Sequence, residues 1–135
     1  MTGVLVDSCV LLDLITADPL WEAWSAEQLS RAFASGPVWI NPLIYAEVAF
    51  AYDCIEDVDA VLPRHLYDYR PLPREAAFLA AKAHADYRGR GGSRVTILPD
   101  FLIGAHAVIE QVPLLTRDVR RYRQAFAGLQ LIAPS

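Results

Sequence analysis

The sequence is poor in several things that would each point to a different class of protein. It has two cysteines, Cys9 and Cys54, and three histidines, His65, His84 and His106, none at ligand spacing. A disulfide scaffold or a Cys/His zinc site is therefore not the expectation. No apolar run approaches the roughly 20 residues needed to cross a bilayer. The first residues, MTGVLVDSCVLL, carry no positive segment and place Asp7 inside the apolar run, unlike a secretory signal. Neither GxGxxG nor the P-loop spacing occurs, and Gly89-Arg90-Gly91-Gly92-Ser93 reads as a connection rather than a phosphate cradle. Internal repeats, low-complexity tracts and linkers are absent as well. Together these absences lead to the expectation of a cytoplasmic protein with reduced thiols.

What is present is apolar and compactly organised. The 135 residues are 54% hydrophobic and 21% charged, a composition of globular chains. That length suits one domain, residues 1–135, with a sizeable core. The net charge of −4 is unevenly spread. Up to Pro63 there are ten acids against one base, and from Arg64 onward eleven bases, ten of them Arg, against six acids. The basic half is consistent with a phosphate-binding surface and equally with arginine bias in composition.

Short β-branched or aliphatic runs, each closed by polar residues, alternate with amphipathic stretches. Gly3–Val6, Val38–Ile40, Tyr67–Leu72, Val112–Leu115 and Leu129–Ile132 read as strands, Pro71 confining the third to an edge or an end. Ser8, Asp18-Pro19, Asn41-Pro42, Pro73-Arg74 and Pro99-Asp100 read as helix starts. The alternation predicts an α/β fold, a three-layer α/β/α arrangement around a mostly parallel sheet.

Four acids stand out against this frame. Asp7 and Asp118 follow strands, where open α/β sheets bind ligands. Glu47 falls on an apparent apolar stripe with Leu43, Ala46, Phe50 and Ala51, and Asp100 leads a small and apolar helix face with Ile103, Gly104 and Ala107. Gathered in one cleft, four carboxylates would raise one another's pKa values, and a hard divalent cation such as Mg²⁺ or Mn²⁺ would relieve the conflict. Taken singly, Asp100 is also a plausible cap, Glu47 a surface acid, and Trp21, Trp24, Phe33 and Tyr52 core residues that could lend apolar surface to a partner.

The segments VDSCVLLD, NPLIYAEV, LPDFLIGAHA and LLTRD, in that order, resemble the PIN-domain ribonuclease family, in particular the VapC-type toxins of toxin–antitoxin pairs. The resemblance runs from Val4 to Ile132 and departs at Cys9, where the family often has Asn. It implies a PIN-like fold and an acidic site of Asp7, Glu47, Asp100 and Asp118 that binds Mg²⁺ or Mn²⁺, with Ser8 and Thr116 in support. It also implies metal-dependent hydrolysis of RNA phosphodiesters, a cognate antitoxin and a homodimer. Arg88, Arg90, Arg94, Arg117, Arg120 and Arg121 are candidates for holding the RNA backbone. The alternative is a non-catalytic α/β module that binds metal or a partner. A receiver-like pocket would need an acid pair after the first strand and an Asp-nucleophile phosphatase an acid at position 9, where Cys9 stands.

Overall fold

The run Val4-Leu5-Val6 is buried at every position and forms β1 (Val4–Val6), in the middle of the sheet. The structure is a computed structural model that describes residues 3–89, 91 and 98–135. β1 is flanked by β2 (Val38–Ile40) and β4 (Leu114–Leu115), with β3 (Tyr67–Tyr69) and β5 (Leu131–Ile132) at the edges, so that the order is β3-β2-β1-β4-β5. All four pairings are parallel, which sharpens the expected mostly parallel sheet to a wholly parallel one. Leu5 is in register with Trp39 on one side and Leu114 on the other. A parallel strand covered on both faces needs side chains that are apolar in both directions, which is why these runs do not alternate. At the edge, β3 is buried only at Tyr67 and ends two residues before Pro71.

Helices α1 (Ser8–Ile15) and α2 (Glu22–Ser35) connect β1 to β2, and α3 (Pro42–Ala49) and α4 (Ile55–Val61) connect β2 to β3. α5 (Arg74–Gly89) and α6 (Leu98–Glu110) lead to β4, and α7 (Val119–Ala125) leads to β5. The first two crossovers step one way along the sheet and the last two step the other way. Right-handed connections then place α1–α4 on one face and α5–α7 on the other. The packing agrees: α1 lies against α2 and α3, while α5, α6 and α7 lie against one another. The sheet therefore sits between two helical layers, and the connections reverse between β1 and β4. Asp7 follows the first of these strands, and Thr116-Arg117-Asp118 follows the second.

Several boundaries differ from the sequence reading, each for a local reason. Asp7 itself caps α1, its Oδ1 accepting from the Ser8 amide at 2.8 Å, so Ser8 is the first helical residue and not the cap. Asp18 accepts from the Leu20 and Trp21 amides and closes a turn before α2 begins at Glu22. Asn41 caps α3 as expected, through the Ile44 amide. That helix ends at Ala49, and its buried face is Ile44 and Val48, whereas Ala46, Phe50 and Ala51 face solvent. The apparent stripe around Glu47 was thus one step out of phase. Asp100 lies inside the first turn of α6, two residues past its start, and is not its cap. Gly104 serves the contact with α7: a Cβ there would come within 2.7 Å of the Phe126 ring and 3.1 Å of Tyr122. The small face of α6 therefore lets α7 approach, more than it lets α6 approach the sheet.

Candidate active site at the carboxyl edge of the sheet

Asp7 is held from three sides. Its cap position gives one oxygen to the Ser8 amide, and its other oxygen accepts from the Thr116 hydroxyl at 2.8 Å and the Tyr122 hydroxyl at 3.0 Å. The three donors come from α1, from the end of β4 and from α7, so the carboxylate ties both sides of the strand reversal together. Thr116 also accepts from the Asp118 amide at 3.0 Å, which shapes the loop that carries Asp118. All these donors are neutral. Burial pushes the Asp7 carboxyl above its ordinary value, the hydrogen bonds from Thr116, Tyr122 and Ser8 oppose that, and the charge on Asp118 adds to it.

The remaining acids face the same place. Glu47, half-buried on α3, accepts from the Ser8 hydroxyl at 2.7 Å. Its carboxyl is raised by burial, helped by Asp7 and opposed by Ser8 and Arg121. Asp100 is raised to about 6 by burial, with Arg121 opposing and with Asp7, Glu47 and Asp118 all adding. Asp118 stands on the β4–α7 loop. One arginine links two of them: Arg121 Nη1 lies 3.0 Å from Asp100 Oδ2 and its Nε lies 3.0 Å from Asp118 Oδ2. Asp7, Glu47, Asp100 and Asp118, drawn from four separate segments, thus feel one another's charge.

Carboxylate oxygens in mutual repulsion are the donor type a hard divalent cation takes, so the set fits such an ion in its chemistry. Among the described residues no group of three or more acid, His or Cys side chains is arranged to hold a metal ion. Both Asp7 oxygens are engaged by donors, and the positive charge between Asp100 and Asp118 belongs to Arg121.

Other expected participants separate. Ser8 and Thr116 both reach a site acid. Cys9 lies beside the site, its Sγ 3.6 Å from the Thr116 hydroxyl, and burial next to Asp7 pushes its thiol up to about 11. Both cysteines are free. Arg117 does not face the cleft: it forms a bidentate pair with Asp13, Nε at 2.9 Å and Nη2 at 3.0 Å, with its guanidinium 5.3 Å from the Trp21 ring centre. Arg120 and Arg88 are exposed, on α7 and at the end of α5, and Arg90 and Arg94 lie outside the described residues. His106 is buried and receives the Asn41 side-chain amide, which ties α6 to the start of α3. Trp21, Trp24, Phe33 and Tyr52 are half-buried, and the exposed large apolar side chains include Leu20 and Phe50.

Sequence reasoning missed Tyr122 and the group Asp13–Ser25–Arg117. Tyr122 follows Asp118 by four residues and precedes Phe126 by four, a helical stripe that marks it as inward-facing. Asp13, an acid inside the apolar run VLLDLI, carried a comparable signal.

A family model described as PIN domain matches residues 4–127. No curated protein matches the chain. Among solved structures, the chain is similar to VapBC2 from Rickettsia felis bound to a DNA fragment from their promoter, with a TM-score of 0.75 and 14% identity over 98% of each chain. VapBC-1 from nontypeable Haemophilus influenzae gives 0.71 and 19% over 96% of each chain. A toxin-antitoxin complex from Klebsiella pneumoniae gives 0.64 and 20% over 98% of each. At these identities the likeness is one of fold.

Proposed function

This chain belongs to the PIN-domain family, and from that premise we propose that it is a divalent-metal-dependent endoribonuclease acting as the toxin of a toxin–antitoxin pair. The observation that carries the reading is the meeting of Asp7, Glu47, Asp100 and Asp118 at the carboxyl edge of β1 and β4, three of them with carboxyls raised by burial and by each other. Solved structures of similar fold, two of them VapBC and one a toxin-antitoxin complex, support the biological role.

Asp7, Glu47, Asp100 and Asp118 would hold Mg²⁺ or Mn²⁺. When bound, that ion supplies a water of lowered pKa and stabilises charge on the phosphate under attack. The chain's own residues do the rest. Thr116 and Tyr122 orient Asp7 through their hydroxyls, and Ser8 orients Glu47. Burial, with the neighbouring acids adding, holds the Asp100 carboxyl up at about 6, and a cation beside it would favour its ionised form. Arg120, Arg121 and Arg88, all exposed, are the candidates for gripping the RNA backbone, which they would do without reading sequence. Substrate recognition would rest on RNA shape and loop contacts. The partners proposed are a cognate antitoxin and a second copy of this chain, and the proposed location is cytoplasmic. No described helix is long and apolar enough to cross a membrane.

The test is an RNA cleavage assay with the purified chain, with Mg²⁺, with Mn²⁺ and with chelator. Cleavage is expected only with metal, and Asp7→Asn is expected to fall to background while keeping its circular dichroism, since Asn still caps a helix. Unchanged cleavage by that variant would overturn the site assignment. Inactive wild-type chain that still takes up metal would leave the non-catalytic module.

A further inference from the structure

We propose that Arg121 is an internal competitor for the divalent cation: its guanidinium spans Asp100 and Asp118 and leaves them when a divalent ion is bound there. The inference rests on reading the cleft as a metal site.

Two different N–H groups of Arg121 reach two acids that belong to separate elements, α6 and the β4–α7 loop, each at 3.0 Å. The same guanidinium acts on Glu47 and feels Asp7, so it supplies positive charge to the whole set. In the ion-free chain that charge offsets the repulsion among the four acids and keeps them assembled. It also sits on oxygens that the ion requires. Protons cannot end the competition, because a guanidinium stays charged throughout the working pH range.

Release is feasible for a reason that the neighbouring arginine makes plain. Arg117 is held by both oxygens of an Asp13 that is nearly inaccessible, a bond that would leave a buried charge if broken. Arg121 is 46% exposed, and its partners Asp100 and Asp118 are 16% and 35% exposed. The pair with Asp118, open on both sides, contributes little individually, and the side chain has solvent to swing into from the first turn of α7. Once displaced it stands at the mouth of the cleft as a fork-shaped donor suited to a phosphate. One residue thus has two successive partners, the acids before ion binding and the RNA backbone after it.

The experiment is calorimetric titration of the full chain with Mn²⁺ alone at pH 8, where Asp100 is ionised, for wild type, Arg121→Gln and Arg121→Lys. Arg121→Gln is expected to bind Mn²⁺ about tenfold tighter, a gain of about 1.4 kcal/mol, with Arg121→Lys between the two because an ammonium lacks the fork. Equal or weaker binding by Arg121→Gln overturns the inference and leaves the metal site standing. No binding by wild type and by Arg121→Gln overturns both. A second readout does not depend on the variants folding: the Arg121 side-chain Nε–Hε resonance of the wild-type chain is followed as Mg²⁺ is added. It should move in step with binding, and a resonance unmoved at saturation refutes displacement.

Discussion

Asp7 and Asp13 stand six residues apart, at the start of α1 and on its buried side, and both are almost inaccessible, at 6% and 2% exposure. Their surroundings are opposite. Asp13 receives the Ser25 hydroxyl at 2.8 Å and both arms of Arg117, so its charge is answered by a charge. Asp7 receives only neutral donors, and acids surround it. A buried carboxylate matched with a guanidinium is a structural tie, in this case fastening the β4–α7 loop to α1 and α2. One matched only with dipoles, beside other carboxylates, has its charge unanswered, and under the proposed function a divalent cation would answer it.

The largest effect should come from breaking the tie. Asp13→Ala strands Arg117 and Ser25 and is expected to lower unfolding stability in urea by about 3 kcal/mol, whereas Asp7→Asn should stay within about 1 kcal/mol of wild type. Similar losses in the two variants would erase the distinction drawn between them.

The next effect concerns the reserve of charge. The folded-state value of Asp100, about 6, lies above its ordinary 3.8, so folding favours the protonated form. Its stabilising contribution is whole below about 3.8 and is lost as the pH rises through about 6. In metal-free buffer the stability of Asp100→Asn relative to wild type should therefore improve across that interval, by about 2–3 kcal/mol, and Mg²⁺ should diminish the gain. A flat difference across the same pH range would mean that Asp100 is as well solvated in the fold as in the unfolded chain.

A smaller effect probes the packing that holds Tyr122 against Asp7. Gly104→Ala drives a methyl group into Phe126 and Tyr122, the residue that donates to Asp7. Overpacking of this kind costs about 1–3 kcal/mol, and some relaxation of the rings should place it near the lower end. Melting temperature would register the loss, and the cleavage rate should fall along with it as Tyr122 shifts away from Asp7. Loss of stability with an unaltered rate would show that Tyr122 is mere packing.

Much of the frame was legible because it follows from local rules. Uninterrupted apolar runs marked the strands, Asn41-Pro42 marked the start of α3, and Pro71 marked an edge strand. Asp7 and Asp118 were legible for the same reason, since residues that end parallel strands come out on one edge. Glu47 was selected for a stripe that does not exist: the solvent-facing Phe50 counted as inward because hydrophobicity alone does not say which side of a short helix is covered. Gly104 read only as part of a small helix face, because the sequence shows that a residue is small and not what it is small for.

What the sequence determined by itself is the order of elements and the places at which acids can stand, because caps, strand ends and helix phase are set by neighbours a few residues away. What the tertiary structure alone decided is which acid is answered by a cation. Arg117 finds Asp13 across 104 positions and Arg121 finds Asp100 across 21. Charge compensation acts through space and depends on burial, so the difference between a carboxylate matched by a buried guanidinium and one matched by neutral donors appears only when the chain is folded.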